Sequence, residues 1–227
     1  MAGEARVGLY YAPLPDDPLF AASCAWLGRD PVSGAPVGQP DLPDIARITA
    51  DPRLYGFHAT LKPPFRFRDG VDWFGFVAAV RDMARRIAPF DLPPLAVADL
   101  RGFLALTETT PSPALQALAD ACVAEVDAFR APPSEGELAR RRRSPLTEAQ
   151  DRMLTRWGYP YVFETWFFHM TLTERLTPEA KAFWLPAATR FFAEAIAAPR
   201  RVSDICLFTQ SAPGAPFVIA ERIALRG

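Results

Sequence analysis

Only two histidines occur in this chain, and each opens the same short pattern: His58-Ala59-Thr60-Leu61 and His169-Met170-Thr171-Leu172. Both patterns follow apolar, aromatic residues, Tyr55-Gly56-Phe57 before the first and Trp166-Phe167-Phe168 before the second. Such stretches favour extended backbone, and in a strand residues i and i+2 share a face. Each motif therefore presents an imidazole and a hydroxyl side by side. A fold that uses both must bring two strands about a hundred residues apart to one place.

The order of elements around the motifs repeats. Arg6 to Ala12 reads as a strand, and a short helix from about Asp16 to Leu27 stops at Gly28. Residues 29–54 read as loop with a turn of helix. Strand Phe57–Leu61, continued or flanked by Phe65–Phe67, is followed by helix Asp72–Ala88 and by strands Leu95–Leu100 and Gly102–Thr107. Helices from Ser112 to Phe129 and from Thr147 to Trp157 come next, with a polar stretch containing Arg140 to Arg143 between them. Strand Trp166–Thr173, a helix opened by Thr177-Pro178 and running to Ala197, and strands Arg201–Thr209 and Phe217–Ala224 close the chain. Each motif strand is thus followed by helix, strand, strand.

The predicted fold class is α+β: two lobes, each a mainly antiparallel sheet with outer helices. The lobes are related by a pseudo-two-fold and face each other across a cleft. The whole of 1–227 is read as one domain, with motif-containing repeats at about 55–107 and 163–225.

Composition is consistent with this and excludes little else. With 227 residues, half of them hydrophobic and 12% aromatic, the chain can bury a sizeable core. Twenty-five Lys+Arg against 26 Asp+Glu give no bulk attraction to nucleic acid or membrane. Cys24, Cys122 and Cys206 are odd in number and widely spaced, which reads as reduced, buried cysteines. Met1 to Tyr11 lacks the pattern of a signal peptide, and no apolar run approaches ~20 residues. The expectation is a cytoplasmic, monomeric protein with no membrane contact.

Two converging imidazoles can supply a base for an attacking water and an acid for a leaving alkoxide, the needs of displacement at phosphorus. The hydroxyls of Thr60 and Thr171 can hydrogen-bond the non-bridging oxygens. Neither a metal nor a cofactor is called for, because two histidines on separate strands with no accompanying carboxylate cluster make a poor zinc site.

At this point the sequence resembles the 2H phosphoesterase superfamily, which carries tandem H-x-T-h motifs about a hundred residues apart. Tyr55-Gly-Phe-His-Ala-Thr-Leu-Lys-Pro-Pro-Phe65, Trp157-Gly-Tyr-Pro-Tyr-Val-Phe163 and Phe168-His-Met-Thr-Leu-Thr173 are similar to one bacterial branch of proteins of unknown function connected with phosphonate metabolism. Trp26-Leu-Gly-Arg-Asp30 and Gly102-Phe-Leu-Ala-Leu106 match it as well, so nearly the whole chain is covered. The resemblance implies a bilobal pseudo-symmetric fold, catalysis by His58 and His169, and phosphate held by Thr60 and Thr171. It implies a cyclic phosphodiesterase acting on a small cyclic phosphate, such as one from phosphonate breakdown. An enzyme processing RNA 2′,3′-cyclic or 2′,5′ ends, and a non-catalytic phosphate-metabolite-binding protein, are the alternatives.

Other residues carry two readings each. Lys62 lies two residues beyond Thr60 and Arg66 shares its parity, so both are candidate phosphate contacts or solvated strand-end cations. Tyr55, Tyr159 and Tyr161 are candidates for stacking on a base or sugar, or half-buried packing residues. The run Arg140 to Arg143 looks like a phosphate or nucleic-acid patch, but with Glu135 and Glu137 nearby and a near-neutral total charge it reads as a solvated face. One imidazole must be neutral and the other protonated, which predicts a bell-shaped pH–rate profile with limbs either side of neutrality.

Overall fold

A computed structural model describes residues 5–227; the first four residues, part of the Met1–Tyr11 signal-peptide reading, lie outside the described ones. Strand β1 (Arg6–Tyr11) leads to helix α1 (Pro18–Leu27). The Asp17 carboxylate accepts from Leu19 N–H at 2.8 Å to start that helix, and Gly28 ends it at φ 77°. The segment read as loop contains two short helices, α2 (Ile45–Ile48) and α3 (Ala50–Tyr55). Strand β2 (Ala59–Phe65) carries the first motif and runs through Pro63 and Pro64. Helix α4 (Trp73–Ala84) follows, capped by Asp72 and shorter than its apolar periodicity suggested.

Three strands follow, β3 (Phe90–Leu92), β4 (Leu95–Leu100) and β5 (Phe103–Glu108), the first of them too short to show in the sequence pattern. Helix α5 (Pro113–Ala124) is capped by Ser112, and α6 (Glu135–Arg141) occupies the stretch expected to be polar loop. Its signal was readable: Ser134 and Glu137 form a capping box, side chain to backbone in both directions. Helix α7 (Glu148–Trp157) has the same device in Thr147 and Gln150. Only Met170 and Thr171 of the second motif segment form ladder, as β6 (Met170–Thr171). Helix α8 (Pro178–Ala197) and strands β7 (Arg200–Val202), β8 (Asp204–Gln210) and β9 (Val218–Ala224) complete the chain.

The α+β class holds. The strands form one seven-stranded sheet in the order β4-β5-β6-β2-β1-β8-β9, antiparallel at every pairing, and β3 pairs with β7 in a small second sheet. Instead of two separate large sheets, the motif strands β2 and β6 are neighbours within one, with Ala59 opposite Met170. The sides of the sheet also differ from the halves of the sequence. The β4–β5 hairpin, which follows the first motif, pairs with the strand of the second, while β8 and β9 lie beyond β1 on the β2 side.

Side-chain alternation assigns the faces. Val7, Leu9 and Tyr11 of β1, Ala59 and Leu61 of β2, and Ile205 and Leu207 of β8 join one core with Leu19, Trp26, Phe76, Val80, Leu115, Leu118, Trp184 and Phe192 from the helices. Each such large apolar side chain contributes about 1.5–3 kcal/mol by leaving water. Tyr10, Cys206 and Phe208, of opposite parity, form a second, smaller cluster on the other face. Cys24, Cys122 and Cys206 are free and buried. Among the described residues no helix is long and apolar enough to cross a membrane.

Candidate active site

On the sheet face opposite helices α1, α4, α5 and α8 lies a cleft of about 380 Å³, lined by His58, Thr60, His169 and Thr171 together with Arg6, Tyr10, Tyr55, Arg141, Tyr159 and Phe217. That volume is within the range of small-molecule sites. Both motifs therefore open into one space, because their strands are hydrogen-bonded neighbours. Two indoles fix the arrangement from behind: Trp166 Nε1 donates to the Thr60 carbonyl at 2.8 Å, and Trp26 Nε1 to that of Leu172 at 2.9 Å.

The two imidazoles are held alike. His58 Nδ1 lies 2.9 Å from the Gly56 carbonyl and His169 Nδ1 3.2 Å from that of Phe167, in each case two residues upstream. A carbonyl only accepts, so each Nδ1 carries the proton and donates it. The neutral form then has its lone pair on Nε2. At His58 that nitrogen is 3.3 Å from Thr60 Oγ1, whose hydroxyl can donate to it. Aromatic rings set both ring planes. Tyr10 stacks on His58 at 3.7 Å and 13°, with Tyr55 edge-on at 5.7 Å, and Phe167 stacks on His169 at 4.6 Å and 22°.

This packing depresses both basicities. Burial pushes the His58 imidazole down to about 4, aided by the His169 charge and opposed by the hydrogen bonds to Gly56 and Tyr55. His169 is also lowered by burial, opposed by its bond to Phe167. Burial raises the phenols of Tyr10, Tyr55 and Tyr159, which remain protonated donors. Among the described residues no group of three or more His, Cys, Asp or Glu is placed to hold a metal.

The remaining candidates divide. Tyr55 and Tyr159 line the cleft; Tyr161 stands one ring behind, edge-on to Tyr159 at 5.6 Å and to Phe167 at 5.8 Å. Lys62 is a correction, since it does not reach the cleft. Thr60 faces Tyr10 while Lys62 faces Leu9, so Leu61 is an extra residue in β2. That bulge reverses the parity on which the Lys62 reading rested. The ammonium instead lies buried against α5, 2.9 Å from the Val123 carbonyl and 3.1 Å from Asp127. Arg66 is likewise outside the cleft lining, held by both oxygens of Glu137 at 3.0 Å in an adjoining hollow. Arg6, Tyr10 and Phe217 were not anticipated, and Arg141 belongs to the run read as a solvated face. The parity of β1 could have suggested Tyr10, and the capping box of α6 could have placed Arg141 in a last helical turn.

Similarity to known proteins agrees with the sequence resemblance in part. The chain is 41% identical over 231 residues to a protein of Janthinobacterium sp. (strain Marseille) named ribose 1,5-bisphosphate phosphokinase PhnN, covering 98% of this chain and 51% of that protein. A protein of the same name from Laribacter hongkongensis (strain HLHK9) is 35% identical over 223 residues, covering 97% and 52%. The chain spans about half the length of these curated relatives. A crystal structure of E. coli LigT complexed with NADP+ aligns over the full length of both chains at 16% identity, with a TM-score of 0.46. A family model matches residues 60–218, and the chain belongs to the family it describes, "Protein of unknown function (DUF1045)".

Proposed function

We propose that the cleft is a phosphoesterase centre that hydrolyses a cyclic phosphodiester of a small, phosphorylated sugar. The observation that carries this reading is the convergence of two His-x-Thr pairs in one space, each imidazole clamped through Nδ1 so that Nε2 is the reactive nitrogen. His58 is the base. Its Nε2 takes a proton from water as the water oxygen attacks phosphorus. The ring P–O bond breaks, and His169 Nε2–H protonates the departing alkoxide, leaving a phosphomonoester. The hydroxyls of Thr60 and Thr171 donate to the non-bridging oxygens, where charge develops in the transition state. This assignment follows the packing: His58, stacked on Tyr10 and pushed to about 4, is the one held neutral.

The relatives' name supports the substrate class only. It belongs to proteins about twice as long. The only lysines of this chain are Lys62 and Lys181, neither preceded by glycine, so no Gly-x4-Gly-Lys phosphate loop is present here. What carries over is that a phosphorylated ribose is handled by the same polypeptide.

The pH dependence has a definite sign. In the free protein the working form needs His58 neutral and His169 protonated. With His58 near 4 and His169 below 6.5, that form is populated between the two values. The optimum of kcat/KM is therefore expected below pH 6.5 instead of straddling neutrality as the motifs alone predicted. A bound phosphate anion raises both basicities, so the optimum of kcat lies higher. A kcat/KM optimum above pH 7 would contradict the assignment.

Phosphorus-31 NMR tests the reaction itself. Ribose 1,2-cyclic phosphates, nucleoside 2′,3′-cyclic phosphates and a short RNA with a cyclic end would be incubated with the protein in EDTA. Conversion of a small cyclic phosphate that disappears in His58→Ala and in His169→Ala is the expected result. Conversion of the RNA alone would move the function to RNA ends, and binding without conversion to a phosphate-binding module.

A further inference from the structure

Beside the catalytic cleft, and sharing Arg6, Pro64 and Arg141 with it, lies a smaller hollow. Five arginines line it, Arg6, Arg66, Arg130, Arg140 and Arg141, against one carboxylate, Glu137. That carboxylate is fully committed. Both its oxygens hold Arg66 at 3.0 Å, and one also accepts the Ser134 N–H at 2.8 Å. Arg130 is taken by Asp127 at 2.7 and 3.1 Å, an aspartate that also holds Lys62.

Arg6, Arg140 and Arg141 remain without a carboxylate partner among the described residues. Two of them are nevertheless held in place by neutral groups. Arg6 donates twice to Gln210 Oε1, at 2.8 and 2.5 Å, and lies 5.6 Å from the Phe217 ring. Arg141 lies 4.7 Å over the Tyr159 ring. A carbonyl and a ring face orient a guanidinium without neutralising it. Burial pushes the Arg6 basicity down and repulsion from Arg140 and Arg141 lowers it further, opposed by Tyr10 and Glu137. An anion placed among them would relieve that repulsion.

We propose that the hollow seats a second phosphoryl group of the same substrate: a phosphomonoester carried by the sugar whose cyclic phosphate lies between His58 and His169. Arg6, Arg140 and Arg141 are then specificity-determining residues. This inference rests on the phosphoesterase reading and narrows its substrate to a molecule with two phosphates. A monoester dianion fits three unpaired cations better than the singly charged diester that the next nucleotide of an RNA would supply.

The test uses matched pairs: ribose 1,2-cyclic phosphate with and without a 5-phosphate, and a nucleoside 2′,3′-cyclic phosphate with and without a 5′-phosphate. A dinucleotide ending in a cyclic phosphate is the RNA arm. The phosphorylated member of a pair is expected to have a kcat/KM at least about tenfold higher, the scale of one charge-assisted hydrogen bond. That ratio should fall towards one in Arg140→Gln and in Arg141→Gln, recover in part in Arg141→Lys, and shrink with added salt. Equal rates within every pair, a ratio unchanged in the glutamine variants, or a dinucleotide favoured as strongly as the monoester would each overturn the proposal.

If no compound is converted, the phosphoesterase reading fails by itself, and calorimetry still decides the hollow. Ribose 5-phosphate, with ribose as control, should bind at least about tenfold more weakly to Arg140→Gln than to the unaltered protein. Absent or unaltered binding would overturn it.

Discussion

At the scale of single residues, His58 and Lys62 show the same physics with opposite consequences. Lys62 is fully buried and His58 half-buried at the cleft wall, and burial lowers both basicities. His58 has no ion partner and accommodates by staying neutral. The unfolded chain therefore takes up a proton near 6.5 that the folded chain refuses until about 4. Stability is expected to fall as pH drops through that window, by at most about 3 kcal/mol. Thermal melts of the unaltered protein and of His58→Phe from pH 7 to 4 check this: the variant should lose less. Lys62 keeps a partner in Asp127, and that aspartate also holds Arg130. Asp127→Asn is expected to cost about 3 kcal/mol or more, because it leaves a buried cation unpaired. Lys62→Met should cost clearly less in denaturant titrations and leave turnover intact, since the side chain does not line the cleft.

Among the elements, the two strands β1 and β2 decide which side chains face the cleft. The bulge at Leu61 sends Thr60 to the cleft and Lys62 to the helices. In β1, Gly8 and Tyr10 share the cleft face, and the Tyr10 ring folds back over Gly8. A Cβ on Gly8 would lie 2.7 Å from Tyr10 Cζ. Tyr10 is buried and stacked on His58, so the ring can move only by disturbing that imidazole. Gly8→Ala is expected to destabilise by about 1–3 kcal/mol. It should also lower kcat/KM and shift the acid limb of its pH profile upwards, as His58 gains water. A normal profile with full activity would show that the stacking does not hold His58 in its working state.

For the whole molecule, the exchange of strands between the sequence halves predicts that the chain folds as one cooperative unit. Strand β6 has only Met170 and Thr171 in its ladder, and its neighbours β5 and β2 both come from the first half of the chain. A cut at Thr110 would leave β6 without any partner and the β4–β5 hairpin without a sheet to extend. Fragments 1–110 and 111–227 are therefore expected to be unfolded when made separately, with poorly dispersed amide NMR spectra. A well-dispersed spectrum from either alone would mean that the sequence repeats are independent lobes.

The two His-x-Thr pairs that line the cleft were legible in the linear chain because their spacing is local. His and Thr two residues apart in an apolar stretch share a face in any extended strand, whatever surrounds it. Helix starts at Asp72, Ser112, Thr147 and Thr177 were legible for the same reason, since a cap acts within one turn. The placement of Lys62 was not, because a bulge is a property of two paired strands and one strand's sequence does not show its partner's register. Nor was the meeting of Arg6 and Arg141, which come from opposite sides of the first motif in sequence and line the same hollow and cleft. Local periodicity determined which residues could do chemistry; the register and order of the sheet, set by contacts distant in sequence, decided which of them face the same space.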